Sequence, residues 1–128
     1  MTDSDELKKL DDWWLKQEHQ SHHYDKYGVP ISLGQYVALF EDRDYRRVAW
    51  TDLGAVQIST VWLGIDHNFG QTGSPVIFET MIFGLLADLD LTDRTQWRYS
   101  TLEEAQSGHE QVVAEVQKQI DKMLKESE

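Results

Sequence analysis

The sequence contains no cysteine among its 128 residues, which excludes a disulfide framework and a cysteine-ligated zinc site. Proline is scarce too, with two residues, and no uninterrupted apolar run approaches the length of a membrane span. The first residues, MTDSDELKK, lack the basic and apolar regions of a secretory signal peptide. We therefore expect a protein of the reducing cytoplasm that binds no membrane, and we assign it neither a cofactor nor a metal.

Basic residues are few: 12 Lys and Arg stand against 23 Asp and Glu, for a formal net charge of −11. Nucleic-acid binding begins with basic side chains that neutralise phosphates, so direct binding to nucleic acid is not expected. The one basic cluster, Arg43 to Arg47, is interrupted by Asp44. An acidic surface favours solubility, and it can also attract the basic groove of a partner protein.

Several catalytic signatures are missing as well. The chain has no glycine-rich phosphate loop with its lysine, no G-x-S-x-G turn, no H-E-x-x-H helix and no cysteine nucleophile. Any enzymatic activity would therefore depend on a pocket inferred from residue types alone. On this basis we consider a binding function first and an enzyme second.

The length suits one folded domain, because a chain of this size can bury a single hydrophobic core. Residues 4–18 have the spacing of an amphipathic helix, with Leu7, Leu10 and Trp14 on one stripe. An aperiodic, histidine-containing stretch follows it. We predict an N-terminal helix and linker over residues 1–23 and a single α+β domain over residues 24–128.

The domain begins with a predicted helix over residues 33–41, because Ser32 and Gln35 match a capping box. The runs YRRVAW and AVQISTVWLGI flank a short connection that ends at Gly54, which predicts an antiparallel hairpin. PVIFETMIFG, starting at Pro75, is apolar on both faces and reads as a central strand. QWRY predicts a short last strand.

The C-terminal segment predicts a long helix. Ser100 and Glu103 suggest a capping box at its start. An apolar stripe then recurs at steps of three or four, formed by Leu102, Ala105, His109, Val112, Val116, Ile120 and Met123. The predicted fold is therefore α+β: an antiparallel sheet of three to four strands packed by this helix, with a short internal helix and the N-terminal one.

Glu79 and His109 are polar residues at positions where apolar ones would serve packing better. Glu79 shares a predicted strand face with Met81 and Phe83, and a buried carboxylate needs a partner. If the final helix covers that face, Glu79 and His109 could form a pair that leaves one imidazole nitrogen for a ligand, a metal or water. The alternative is a purely structural role, either as a buried pair or with each residue bonded to backbone.

Asp66 and His67 follow the strand STVWLGI, in a loop bounded by Gly64 and Gly70. Loops at strand ends often display binding groups, so these two residues join Glu79 and His109 as ligand-binding candidates. The four side chains could serve a small hydrolase, with His109 as general base or metal ligand, although their spacing matches no known ligand motif. The alternative is an Asp66 side chain that bonds to nearby backbone amides, with His67 exposed.

The remaining histidines and the tryptophans receive structural or partner-binding roles. We interpret His19, His22 and His23 as part of the linker. Core packing is predicted for three tryptophans, Trp50, Trp62 and Trp97. Adjacent Trp13 and Trp14 cannot both face inward equally well, so we predict a partner contact there, with a homo-oligomer as one option.

Several blocks together resemble a family of small proteins encoded by tailed phages and prophages: YGVPIS, ALFEDRDYRRVA, STVWLGIDHNFG, PVIFETMIFG and RYSTLEEAQSGHE. The resemblance covers about residues 24–116 and implies an accessory protein in the cytoplasm of a host cell; it assigns no catalytic role to any position. The first function that we consider is binding of a host protein or of a small ligand. The host protein could itself bind nucleic acid, and this chain would then act as an acidic inhibitor of host defence. The alternative is the small hydrolase or ligand-processing enzyme that uses the Asp/His/Glu/His pocket.

Overall fold

The computed structural model describes residues 22–68, 73–84 and 96–127. In chain order these segments form α1 (Leu33–Glu41), α2 (Arg43–Arg46), β1 (Arg47–Asp52), β2 (Val56–Trp62), β3 (Phe78–Gly84), β4 (Gln96–Tyr99) and α3 (Leu102–Glu126). The strands make one antiparallel sheet in the order β1-β2-β3-β4. The predicted α+β class is confirmed, while the helix predicted over residues 4–18 lies outside the described residues.

Both long helices begin with a capping box. At α1, the Ser32 hydroxyl accepts a hydrogen bond from the Gln35 amide, and the Gln35 side chain accepts one from the Ser32 amide, as predicted. At α3 the box is formed by Thr101 and Glu104, one residue later than predicted. The sequence STLEE satisfies the capping pattern in two overlapping registers, and the fold uses the second.

One face of the sheet packs against α3 and forms the core. Alternate residues of β2 are buried, as the half-buried strand pattern requires. The core has two apolar clusters, one of Val56, Ile58, Ile82, Val112 and Val116, and the other of Trp62, Ile77, Phe78 and Ala105. Thr60, Thr80 and His109 lie between these clusters along their respective elements, so a polar layer crosses the middle of the core. The predicted apolar stripe of α3 is confirmed by its buried residues, although Met123 near its end is exposed.

The opposite face of the sheet, called the outer face below, is only partly covered. β3 is an interior strand, as predicted, but it begins at Phe78 rather than at Pro75. On its outer side Phe83 is exposed, and on β1 Trp50 is 48% exposed. The prediction that Trp50 belongs to the core is therefore wrong, whereas Trp62 is a core residue and Trp97 packs against the core.

Among residues 22–68, 73–84 and 96–127, no helix combines the length and the apolar character needed to cross a membrane.

Candidate functional site

His109 lies in the polar layer, with 1% of its surface exposed. Its Nδ1 lies 2.7 Å from the Thr60 hydroxyl on β2, and its Nε2 lies 2.8 Å from the Thr51 hydroxyl on β1. The Thr60 hydroxyl also bonds to the Thr80 hydroxyl on β3. A neutral imidazole donates from one ring nitrogen and accepts at the other, and two hydroxyl partners satisfy both. Both ring nitrogens therefore have partners: the ring joins α3 directly to Thr51 and Thr60, and through Thr60 to Thr80.

The environment of His109 favours its uncharged form. Burial lowers the pKa of His109 below its ordinary value, and the neighbouring Glu110 carboxylate opposes this change only in part. An imidazolium has no acceptor role and would be costly in this layer. This is the environment of a structural histidine. The structural alternative agrees with this role, but the partners of His109 are threonine hydroxyls and not Glu79 or backbone.

Glu79 lies on the outer face, on the other side of the sheet from His109. Strand neighbours alternate, and Phe78, Thr80 and Ile82 are the β3 residues buried on the α3 side. Glu79 is nevertheless only 7% exposed, and its carboxylate pairs with Arg98 of β4 at 3.1 Å. The hypothesis of a Glu79–His109 pair is therefore wrong, because α3 packs on the face that Glu79 does not share.

Asp66 stabilises the loop after β2. Its Oδ1 accepts hydrogen bonds from the backbone amides of Asn68 and Val76, each at 2.8 Å. His67 is half-buried, and its Nδ1 lies 2.9 Å from the Ile65 carbonyl oxygen. The structural alternative given for Asp66 is thus what the fold shows, and the expectation that His67 is exposed is wrong.

The glycine before this loop is required by its surroundings. Gly64 has a φ of 75°, and an added Cβ would lie 2.6 Å from atoms of both Trp62 and Tyr36. Beside it, the His23 backbone bridges antiparallel to Ile65. Residues 22 and 23, predicted to belong to the linker, instead pair with this loop through their backbone, since the Asp66 amide donates to the His22 carbonyl oxygen at 2.8 Å. His19 lies outside the described residues.

The predicted catalytic set does not converge. Asp66 and His67 lie in the loop beyond β2, Glu79 on the outer face and His109 in the core layer. Within the described part of the chain, no group of three or more His, Asp or Glu side chains is placed to hold a metal ion. The arrangement on which the hydrolase hypothesis depended is thus not present in these four side chains.

A different group of residues forms a groove, and its geometry begins at α2. The Asp42 carboxylate accepts hydrogen bonds from the amides of Asp44 and Tyr45, which caps this single helical turn. The turn carries Arg43 and Arg46 at i and i+3, on neighbouring positions of its surface. The run YRRVAW predicted a strand from Tyr45, but Tyr45 and Arg46 belong to this turn and β1 begins at Arg47.

A β-bulge then places Arg47 and Trp50 on the same face. Arg47 pairs with Val61 and Ala49 with Thr60, so Val48 is an extra residue in β1. In a regular strand, residues three apart point to opposite faces, and one inserted residue restores them to the same face. The Arg47 guanidinium consequently lies over the Trp50 ring, 5.6 Å from its centroid.

These side chains line an open groove of about 450 Å³, called the arginine groove below. Its lining residues are Phe40, Arg43, Arg46, Arg47, Trp50, Ser59, Val61, Trp62 and Leu63. Arg46 lies over the Phe40 ring, 4.7 Å from its centroid. Arg46 Nε is buried, and no described residue accepts a hydrogen bond from it.

Within the part of the chain that the structure describes, the three arginines of the groove form no ion pair. Among the described residues, the ion pair within 4 Å is Arg98 with Glu79, and none of the three takes part in it. Unpaired guanidiniums beside exposed aromatic rings are typical of binding surfaces. The sequence signal for this groove is the run RDYRR followed by Trp50. The bulge that brings Arg47 and Trp50 to the same face is not visible in the sequence pattern. Trp13 and Trp14, the tryptophans predicted to meet a partner, lie outside the described residues.

Comparison of the chain with protein-family models, curated protein sequences and solved structures finds no match.

Proposed function

We propose that this chain is an accessory protein of the phage type that acts by binding a host protein, and that the arginine groove is the surface that meets this partner. This is the role predicted from the sequence, and an inhibitor of host defence is one form of it. The location is new, since the sequence placed the contact at Trp13 and Trp14.

The observation that carries the proposal is the combination of unpaired charge and exposed aromatic surface in one groove. Arg and Trp are the residues most enriched among those that dominate binding energy. Here Arg47 and Trp50 are adjacent and exposed, in a chain whose net charge of −11 would favour pairing of every arginine. Both side chains remain exposed in the described part of the chain, so they are accessible to a partner.

The polar residues first considered for chemistry support the same function by elimination. Both ring nitrogens of His109 lie within hydrogen-bonding distance of threonine hydroxyls, and the Asp66 carboxylate accepts from two backbone amides. Glu79 pairs with Arg98. Because these groups already have structural partners, we do not propose the hydrolase as a second candidate.

Affinity capture from a bacterial host lysate tests the proposal. The tagged full-length protein is compared with Trp50→Ala, and Tyr27→Ala is the control, because Tyr27 is 76% exposed and does not line the groove. We expect one host protein to be retained in stoichiometric amount by the wild type and by Tyr27→Ala, and to be lost from Trp50→Ala. Retention by all three proteins, or by none, would contradict the proposal, provided that urea unfolding shows Trp50→Ala to be folded.

A further inference from the structure

We infer that the arginine groove takes an acidic peptide segment of the partner, in which carboxylates flank an aromatic or branched apolar side chain. This inference rests on the proposed function, because it specifies what the groove binds. It follows from the charge of the groove, the geometry of its arginines and the charge of the rest of the chain.

The charge of the groove calls for an anion. Arg43, Arg46 and Arg47 supply three guanidiniums, and none of them has a carboxylate within 4 Å among the described residues. Guanidinium presents parallel N–H donors that match the two oxygens of a carboxylate.

The aromatic rings restrict the geometry of that anion. Arg46 lies over Phe40 and Arg47 over Trp50, so each guanidinium is held against a ring before any ligand arrives. Holding a side chain in its bound orientation lowers the entropic cost of binding. The same contacts cover one face of each ring, which leaves less ring surface for the stacking of nucleic-acid bases.

The negative charge of the rest of the chain favours a peptide over a nucleic acid as the ligand of the groove. Glu41, Asp42 and Asp44 adjoin the arginines along the chain, and the whole chain carries a net charge of −11. A phosphate backbone would extend from the three arginines into this acidic surrounding, whereas a short peptide can place its carboxylates only where the arginines are. Val61 and Leu63 in the groove lining suit an apolar side chain between these carboxylates.

Fluorescence anisotropy with a defined probe tests the inference. The probe is a short fluorescein-labelled peptide in which glutamates and aspartates flank a central phenylalanine. We expect it to bind the full-length protein, and to bind about tenfold more weakly when its acids become amides or its phenylalanine becomes glycine. A labelled oligothymidylate is expected to bind more weakly than the acidic peptide.

Matched variants locate the binding. Arg43→Gln/Arg47→Gln removes two exposed charges from the groove and should weaken binding at least about tenfold. The control Lys118→Gln/Lys122→Gln removes two charges from α3, outside the groove lining, and should leave binding within about twofold. Adding Arg46→Gln should weaken binding further, and urea unfolding of each variant shows whether it is folded.

Absence of peptide binding would overturn the inference, as would equal losses in the groove and lysine variants or tighter binding of oligothymidylate. Tighter peptide binding by Trp13→Ala/Trp14→Ala would also overturn it, because the chain's own N-terminal residues would then be the occupant. A dimer in sedimentation that the peptide dissociates would assign the groove to a second copy instead. If a host protein is captured through Trp50 while the peptide fails to bind, the proposed function stands and only the acidic peptide is rejected.

Discussion

The polar layer around His109 permits a quantitative test of how the core is held together. The substitution His109→Leu removes both ring nitrogens and leaves a side chain of similar burial. The Thr51 hydroxyl loses its His109 partner, while Thr60 keeps its bond to Thr80. The experiment therefore separates the hydrogen bonds of the ring from the apolar packing that surrounds it.

The expected cost follows from these two bonds. A hydrogen bond contributes a net ~0.5–1.5 kcal/mol, so losing both bonds costs about 1–3 kcal/mol. Additional apolar contact by leucine offsets part of this loss. We expect His109→Leu to lower the free energy of unfolding by about 1–2 kcal/mol at pH 8. Replacing the whole layer, with valine at Thr51, Thr60 and Thr80 as well, should recover most of the loss, since no hydroxyl is then left without a partner.

The pH dependence provides a second readout. Burial lowers the pKa of His109 in the folded protein, whereas the unfolded chain has the ordinary value of about 6.5. Between these two values the unfolded chain binds a proton that the folded chain does not. The contribution of His109 to stability is complete above about pH 6.5 and is lost as the pH falls toward the folded-state pKa, by at most about 1.4 kcal/mol per pH unit.

Urea unfolding from pH 8 to pH 5, followed by circular dichroism, measures both effects. The pKa of His23 is also lowered by burial, so the wild type alone cannot isolate His109, but His23 is present in both proteins and cancels in their difference. The destabilisation caused by His109→Leu should therefore shrink below pH 6.5. Parallel stability curves over the whole range would refute the lowered pKa, and a gain in stability at pH 8 would refute the stabilising role of the two hydrogen bonds.

Three further substitutions test other parts of the fold, each by urea unfolding. Gly108→Ala should destabilise by about 1–3 kcal/mol, although alanine is the better helix former, because the new Cβ would overlap the Tyr99 ring; in a Tyr99→Ala background the same change should stabilise. Asp66→Ala should lower the free energy of unfolding by about 1–3 kcal/mol, since two backbone amides lose their acceptor. Asp66→Asn should lower it less because Oδ1 is kept, and equal losses would contradict this role of Asp66. Arg98→Met should destabilise by about 1–2 kcal/mol because Glu79 loses its partner. The double variant Glu79→Met/Arg98→Met should recover this loss. If Arg98→Met is as stable as the wild type, the ion pair contributes nothing to stability.

Much of the fold was predictable because its signals are local. A helix start depends on a side chain and an amide three residues apart, and the Ser32 capping box appears in the structure as predicted. Strand alternation and the helical period likewise involve neighbours in sequence, and they identified β2 and α3. The candidate site was harder, because Glu79 and His109 were singled out correctly as buried polar residues while their partners come from other strands.

The sequence by itself determined the α+β class, the central position of β3 and the buried stripe of α3, since each follows from short-range periodicity and apolar surface. The tertiary structure alone decided which face of β3 meets α3, because both faces of that strand are apolar in the sequence. It also decided, through the extra residue at Val48, that Arg47 and Trp50 share the outer face. A bulge reverses the alternation of a strand, and its position is set by pairing with another strand. The arginine groove therefore became visible only in the folded chain.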